Sequence, residues 1–148
     1  VGNVRLYHYT SVLHLPNILH DQKLTLTDSN VDLLKQHAGP DVVWLTRQAD
    51  LATSGAKWTH PSLDKLAVRF TVNVNAMPWP EFARKQHIKR QWYVILARTG
   101  GDPTHWYVCT HEIEKKDWRE VLLTRSNLRL DVASYNPAEP NKVWAMPV

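Results

Sequence analysis

VRLYHYTSVLHLPNILHDQ, from Val4 to Gln22, is the stretch on which the fold turns, because it carries the chain from a strand directly into a helix. In Val4–Thr10 the residues Val4, Leu6 and Tyr9 alternate only roughly with Arg5, Tyr7 and Thr10, the pattern of a strand covered on both faces. Ser11 follows where a hydroxyl can take an orphan N–H of a first helical turn, and is expected to cap the helix. Leu15, Ile18 and Leu19 then recur at helical spacing through about Gln22.

Outward from there, strands dominate. Leu24–Thr27 reads as a short extended piece and Asn30–His37 as a short helix or turn, broken by Gly39–Pro40. Val42–Thr46 (VVWLT) is β-prone, and Ala49–Trp58 is a short helix or loop ended by Thr59, His60 and Pro61. Lys65–Val74 (KLAVRFTVNV) alternates Leu66, Val68, Phe70, Val72 and Val74 with polar or small residues, the clearest half-buried strand in the chain. Pro78–Lys89 predicts a helix with a basic face. Trp92–Ala97, His105–Thr110 and Arg119–Leu123 read as strands, with a turn at Gly100–Gly101 and Glu112–Trp118 between the last two. The tail from Ala133, with Pro137, Pro140 and Pro147, is expected across the surface. An early helix followed by strands, without βαβ alternation, predicts an α+β fold with a mainly antiparallel sheet.

The 148 residues suit a single domain, 1–148, long enough to bury a core. No apolar run approaches the roughly 20 residues that span a bilayer. The N-terminal VGNVRLYHYT lacks the layout of a signal peptide, and the single Cys109 permits no internal disulfide and no cysteine-based zinc cluster. A cytoplasmic protein without metal is the expectation. A net charge of +4 and a pI near 9.3 favour anionic partners. Five glycines and no glycine-rich phosphate loop argue against a Rossmann or P-loop nucleotide site.

LYHYTSVLHLPNILHDQKL (6–24) resembles the opening of ADP-ribosyltransferases, especially DarT-type toxins that modify DNA, where a strand ending in an aromatic-His-x-Thr step enters a helix with a Leu-x-x-Ile-Leu pattern. VVWLTRQADLATSGAKW (42–58) is similar to the segment of the diphtheria-toxin and PARP branch in which an aromatic-bearing strand leads to a serine-rich helix. Together they cover 36 residues in the order this resemblance requires. The resemblance implies an ADP-ribosyltransferase-like fold, a mainly antiparallel split sheet with a few short helices, and NAD as substrate.

It also implies roles. His8 would donate a hydrogen bond to the adenosine ribose of NAD, and the cofactor step includes Tyr9 and Thr10, with Thr10 and nearby backbone against the nicotinamide amide. Trp44 and Trp58 would flank the nicotinamide ring, where stacking and cation–π attraction favour aromatics; plain core packing is the competing account of both. Ser54 stands where a supporting serine is expected. Arg47 could grip the pyrophosphate as a bidentate fork. The glutamate that stabilises the oxocarbenium-like ribose is expected early in a late strand, and Glu120 has that context. A competing register puts His105–Thr110 on the glutamate strand with Trp106 at the acid's place. Glu112 or Glu114 must then substitute, or the domain is inactive.

Arg84, Lys85, Lys89 and Arg90 concentrate positive charge, and Lys115, Lys116 and Arg119, extended by Arg125 and Arg129, form a second cluster. A solvated helix face is the plain account; a phosphate track leading single-stranded DNA or RNA to the ribose is the functional one. The reading is a mono-ADP-ribosyltransferase, a toxin or phage-conflict factor, acting on nucleic acid, with a neutralising antitoxin as a further partner. The alternatives are a protein-modifying transferase, an inactive binder of NAD or ADP-ribose, and a plain nucleic-acid-binding module.

Overall fold

The computed structural model describes residues 2–26, 41–53, 59–60, 63–88, 90, 103–136, 138–139 and 145–147. The fold is α+β, with a large antiparallel sheet and, among the described residues, two α-helices. Strand β1 (Val4–Thr10) leads through a turn to α1 (Leu15–Asp21), β2 (Lys23–Leu24) and β3 (Val43–Thr46). The hairpin β4 (Thr59–His60) and β5 (Leu63–Asp64) precedes β6 (Val68–Val74), β7 (Met77–Pro78) and α2 (Trp79–Lys85). The chain ends with β8 (Trp106–Cys109), β9 (Ile113–Glu114), β10 (Trp118–Leu123), β11 (Leu128–Leu130) and β12 (Ala145–Pro147). Eight strands form one sheet in the order β12-β11-β10-β6-β1-β3-β8-β7, while β2 pairs with β9 and β4 with β5.

Where β1 meets its two neighbours the sheet changes character. Against β6 it is registered along its whole length, from Val4 opposite Val74 to Thr10 opposite Val68. Against β3 the register consists of Tyr7 opposite Thr46. The sheet is therefore two ladders, β1-β6-β10-β11-β12 and β3-β8-β7, joined at a narrow seam.

Residues directly opposite in an antiparallel pair share a face, and successive residues alternate. Leu6, His8 and Thr10 on β1 thus share a face with Val72, Phe70 and Val68 on β6, and Phe70 with Val121 on β10. That face is the main core. Leu6, Phe70, Val72 and Val121 are fully buried there with Leu19 of α1, Leu24, Leu45, Ile113 and Trp118. Across the sheet, on the β3-β8-β7 side, a second core joins Val42, Leu51, Leu66, Trp106 and Val108 to Trp79, Phe82 and Ala83 of α2. Each fully buried large aliphatic or aromatic side chain stabilises the fold by about 1.5–3 kcal/mol relative to exposure.

Both α1 and α2 carry a proline in their first turn, Pro16 and Pro80. Pro16 lies in the first turn of α1, where its missing N–H costs nothing. The helix therefore begins at Leu15 with His14 at its N-cap and no side-chain capping bond. The cap expected of Ser11 does not form, and its Oγ is buried without a hydrogen-bond partner. Gln22 closes α1 in the left-handed region (φ 57°), its N–H donating to the Ile18 carbonyl at 2.9 Å. In α2 Glu81 lies in the first turn and Arg84 and Lys85 in the last, each favourable to the helix dipole. The basic helix expected to Lys89 stops at Lys85, and His87 is left-handed (φ 55°).

The strand expected over Lys65–Val74 begins at Val68, because Asp64 Oδ1 accepts the Leu66 N–H at 3.0 Å and turns the preceding residues. The tail adds an edge strand, with Ala145, Met146 and Pro147 opposite Leu130, Arg129 and Leu128. The elements expected at Asn30–His37 and Trp92–Ala97, and the Gly100–Gly101 turn, lie outside the described residues. Among the described residues no helix is long and apolar enough to cross a membrane.

Candidate functional site

The aromatic-His-x-Thr step of the sequence occupies the end of β1 beside the seam. His8 shares the core face with Phe70, the two rings edge to face at 6.3 Å. Its Nδ1 lies 2.8 Å from the Trp44 carbonyl oxygen, across the gap between β1 and β3. A carbonyl only accepts, so Nδ1 carries the proton and donates. Burial holds the imidazole pKa below its ordinary value, with the hydrogen bond to Trp44 opposing it more weakly. The ring is neutral at pH 7, and Nε2 is an acceptor. The expected role of His8 as a donor to a ribose hydroxyl is thereby reversed, since the hydroxyl would have to donate to Nε2.

Tyr9 points to the opposite face. Its hydroxyl lies 2.9 Å from the Gln48 carbonyl and 2.8 Å from that of Ala49, and accepts the Leu51 N–H at 3.3 Å. Burial raises its pKa. Tyr9 therefore fastens the chain after β3 to the sheet, a structural duty that leaves its hydroxyl engaged. Thr10 is buried at the strand end. Beyond it an open groove of about 480 Å³ is lined by Ser11, Val12, Leu13, Pro16, Leu63 and Asp64.

Trp44 is half-buried, stacked on Trp79 at 6.4 Å and edge-on to Trp106 at 6.0 Å. Its indole thus belongs to an aromatic cluster of the second core, while its carbonyl holds His8. Arg47 is exposed, its guanidinium 5.9 Å from the Tyr107 ring centroid, and its backbone N–H donates to the His105 carbonyl at 3.0 Å. Ser54 and Trp58 lie outside the described residues, as does Lys89.

Glu120 is not brought to His8. It stands opposite Thr71 on β6, on the face that carries Tyr7, Tyr9 and Arg69, whereas His8 stands opposite Phe70 on the other face. A bulge at Arg119 gives β10 this register: Trp118 lies opposite Val72, yet Glu120 lies opposite Thr71. The Glu120 carboxylate is also occupied. Oε1 accepts from Arg69 Nη2 at 2.9 Å and Oε2 from Arg129 Nε at 3.0 Å. Arg69 reaches further, donating from Nη1 to the Ala49 carbonyl at 2.8 Å and lying 5.1 Å from the Tyr7 ring centroid. The alternative acids sit in surface ion pairs, Glu112 with Lys23 at 3.2 Å and Glu114 with Lys116 at 3.4 Å.

The basic clusters divide similarly. Arg84, Lys85 and Arg90 are exposed, with Lys85 paired to Glu81 one helical turn earlier at 3.3 Å. Arg125 and Arg129 are engaged with carboxylates, Arg129 with Glu120 and Arg125 with Asp64. Arg125 grips Asp64 through two nitrogens, at 2.7 and 3.1 Å, and donates to the Ala52 carbonyl at 2.7 Å. Sequence reasoning missed Arg69. The alternation Arg69, Thr71, Asn73 against Val68, Phe70, Val72 was the available signal that these three share a polar face. Among the described residues no group of three or more His, Cys, Asp or Glu side chains is arranged to hold a metal ion. Comparison of the chain with protein-family models, curated proteins and solved structures returned no match.

Proposed function

We propose that this chain is a mono-ADP-ribosyltransferase-type domain that holds NAD near the end of β1 and passes ADP-ribose to a macromolecule, DNA or RNA by preference. The observation that carries the reading is His8. Its Nδ1–H is fixed to the Trp44 carbonyl at the seam, and burial keeps it neutral, so a lone pair is set to receive a ribose hydroxyl. The narrow β1–β3 junction agrees with the split sheet that the resemblance implies. Transfer would break the bond between ribose C1′ and the nicotinamide nitrogen, releasing neutral nicotinamide. C1′ would then bond to an acceptor atom that gives up its proton.

A second reading, binding of NAD or ADP-ribose without transfer, is favoured by Glu120, which faces away from His8 and is shared between two guanidiniums. Thermal melts and label transfer separate the two. NAD at about 100 times its dissociation constant adds about 2.7 kcal/mol of stability, and His8→Ala weakens binding. Label moving from NAD to oligonucleotides supports transfer to nucleic acid, and label on cell protein alone moves the acceptor to protein. Stabilisation by NAD without label on either leaves the binding reading. No thermal shift at millimolar NAD removes both.

A further inference from the structure

The polar face of β1-β6-β10-β11 carries more cation than its anion can use. Glu120 supplies one carboxylate to two guanidiniums, those of Arg69 and Arg129. Arg69 is mostly buried, with 17% of its side chain exposed, and its Nε is buried without a hydrogen-bond partner. Its other partners, the Ala49 carbonyl, the Tyr7 ring and the Tyr9 hydroxyl, are neutral. Arg129 uses only Nε on Glu120, and among the described residues both its terminal nitrogens are without a partner, on a side chain 46% exposed. A guanidinium taken out of water is compensated by charge-assisted hydrogen bonds, and its planar fork fits oxyanions bidentately.

We propose that Arg69 and Arg129, arranged by Glu120, form a binding site for a phosphoryl oxyanion. The charge count chooses the class: two guanidiniums and one carboxylate leave one positive unit, which the two free oxygens of a phosphodiester neutralise. Arg129 presents its free fork at the rim, and Arg69 supplies the fixed charge beneath. Because each arginine binds a different oxygen of one carboxylate, the two cations are held within the span of a single ligand. Glu120 is the internal counter-ion, holding the forks in place and competing with the ligand. Two sources share this chemistry, the backbone of a nucleic-acid strand and the pyrophosphate of a nucleotide. The site lies on the face opposite His8 and stands whether or not NAD enters at the seam.

The test is titration of the isotope-labelled protein with inorganic phosphate, with ADP and with a short single-stranded oligothymidylate, following the arginine Nε–H resonances by NMR. The Arg69 Nε–H signal is expected to shift saturably in the wild type and equally in His8→Ala. That background separates this site from the NAD reading. Arg129→Gln, a change at a half-exposed side chain, should weaken binding about tenfold, the loss of a charge-assisted pair. Arg129→Lys should fall between. Glu120→Gln should tighten binding several-fold by removing the competing carboxylate. Preference for oligothymidylate assigns the site to a strand, and preference for ADP to a nucleotide. An Arg69 Nε–H signal unmoved by all three ligands overturns the proposal, as does undiminished affinity in Arg129→Gln. Weaker binding by Glu120→Gln overturns it as well, because the arrangement that Glu120 imposes would then outweigh its competition with the ligand, against the charge count.

Discussion

His8 and Arg69 lie on neighbouring strands and face opposite sides of one sheet, and the two sides accommodate a nitrogen base in different ways. On the core face, His8 gives up its charge: one hydrogen bond to Trp44 satisfies Nδ1, Phe70 packs edge-on, and burial keeps the ring neutral. On the polar face Arg69 cannot deprotonate, so the structure supplies Glu120, a carbonyl and an aromatic ring. Titratable groups adapt to burial by losing charge, whereas guanidinium must be met by partners. The lesson is that the alternation of β1 and β6 sorts two chemistries to two faces, and Glu120 belongs with the second.

The largest test of this contrast removes the apolar side. Phe70→Ala, at a fully buried position touching both His8 and Trp118, should cost about 3–5 kcal/mol in a urea melt. A loss near that of a surface change would mean that the His8 face is not the main core. Next, Glu120→Ala leaves two guanidiniums facing each other. Its cost should be roughly 1–3 kcal/mol, less than for a sealed pair because the carboxylate keeps contact with water. Added phosphate should restore part of it.

A smaller effect separates the faces by pH. Because the folded pKa of His8 is depressed, the unfolded chain binds more protons as pH falls below about 6.5, and stability is lost there by at most about 1.4 kcal/mol per pH unit. His8→Gln should remove that slope between pH 6.5 and the folded pKa, and an unchanged slope would assign it to other histidines. The smallest effect is expected at the Arg125–Asp64 pair, half-open to solvent. Hydrogen bonding to Arg125 holds the Asp64 pKa down, so its contribution is present above about pH 4 and lost as pH falls through the lowered value. Arg125→Ala should cost about 1 kcal/mol or less in low salt and still less in high salt.

Much of the scaffold was legible because it rests on local pattern. Val4–Thr10 forms one strand with those bounds, and the hydrophobic alternation ending at Val74 marks the other half of the central pair. The α1 start was misread because Ser11 has the right chemistry for a cap, yet Pro16 sets the first turn three residues further on. The strand at Leu128–Leu130 gave no such pattern, being three residues long and stabilised by neighbours on both sides. Glu120 was misplaced for a different reason. Its face depends on a one-residue bulge at Arg119 and on pairing with β6 some fifty residues earlier, and neither is written in the local sequence around it. The hydrogen bond of His8 was not legible either, because the Trp44 carbonyl that accepts it is contributed by a strand thirty-six residues away.

The narrow junction between β1 and β3 has a mechanical consequence. Few ladder bonds cross it, so the joint is braced instead by the main core, which runs across it from Leu6 and Phe70 to Val43, Leu45 and Cys109, and by Tyr9 and Arg69 on the Ala49 carbonyl. The His8–Trp44 bond spans that joint and acts as its latch. A tilt of the plates would have to stretch this bond and disturb the main core together, so the imidazole is held where the two ladders meet.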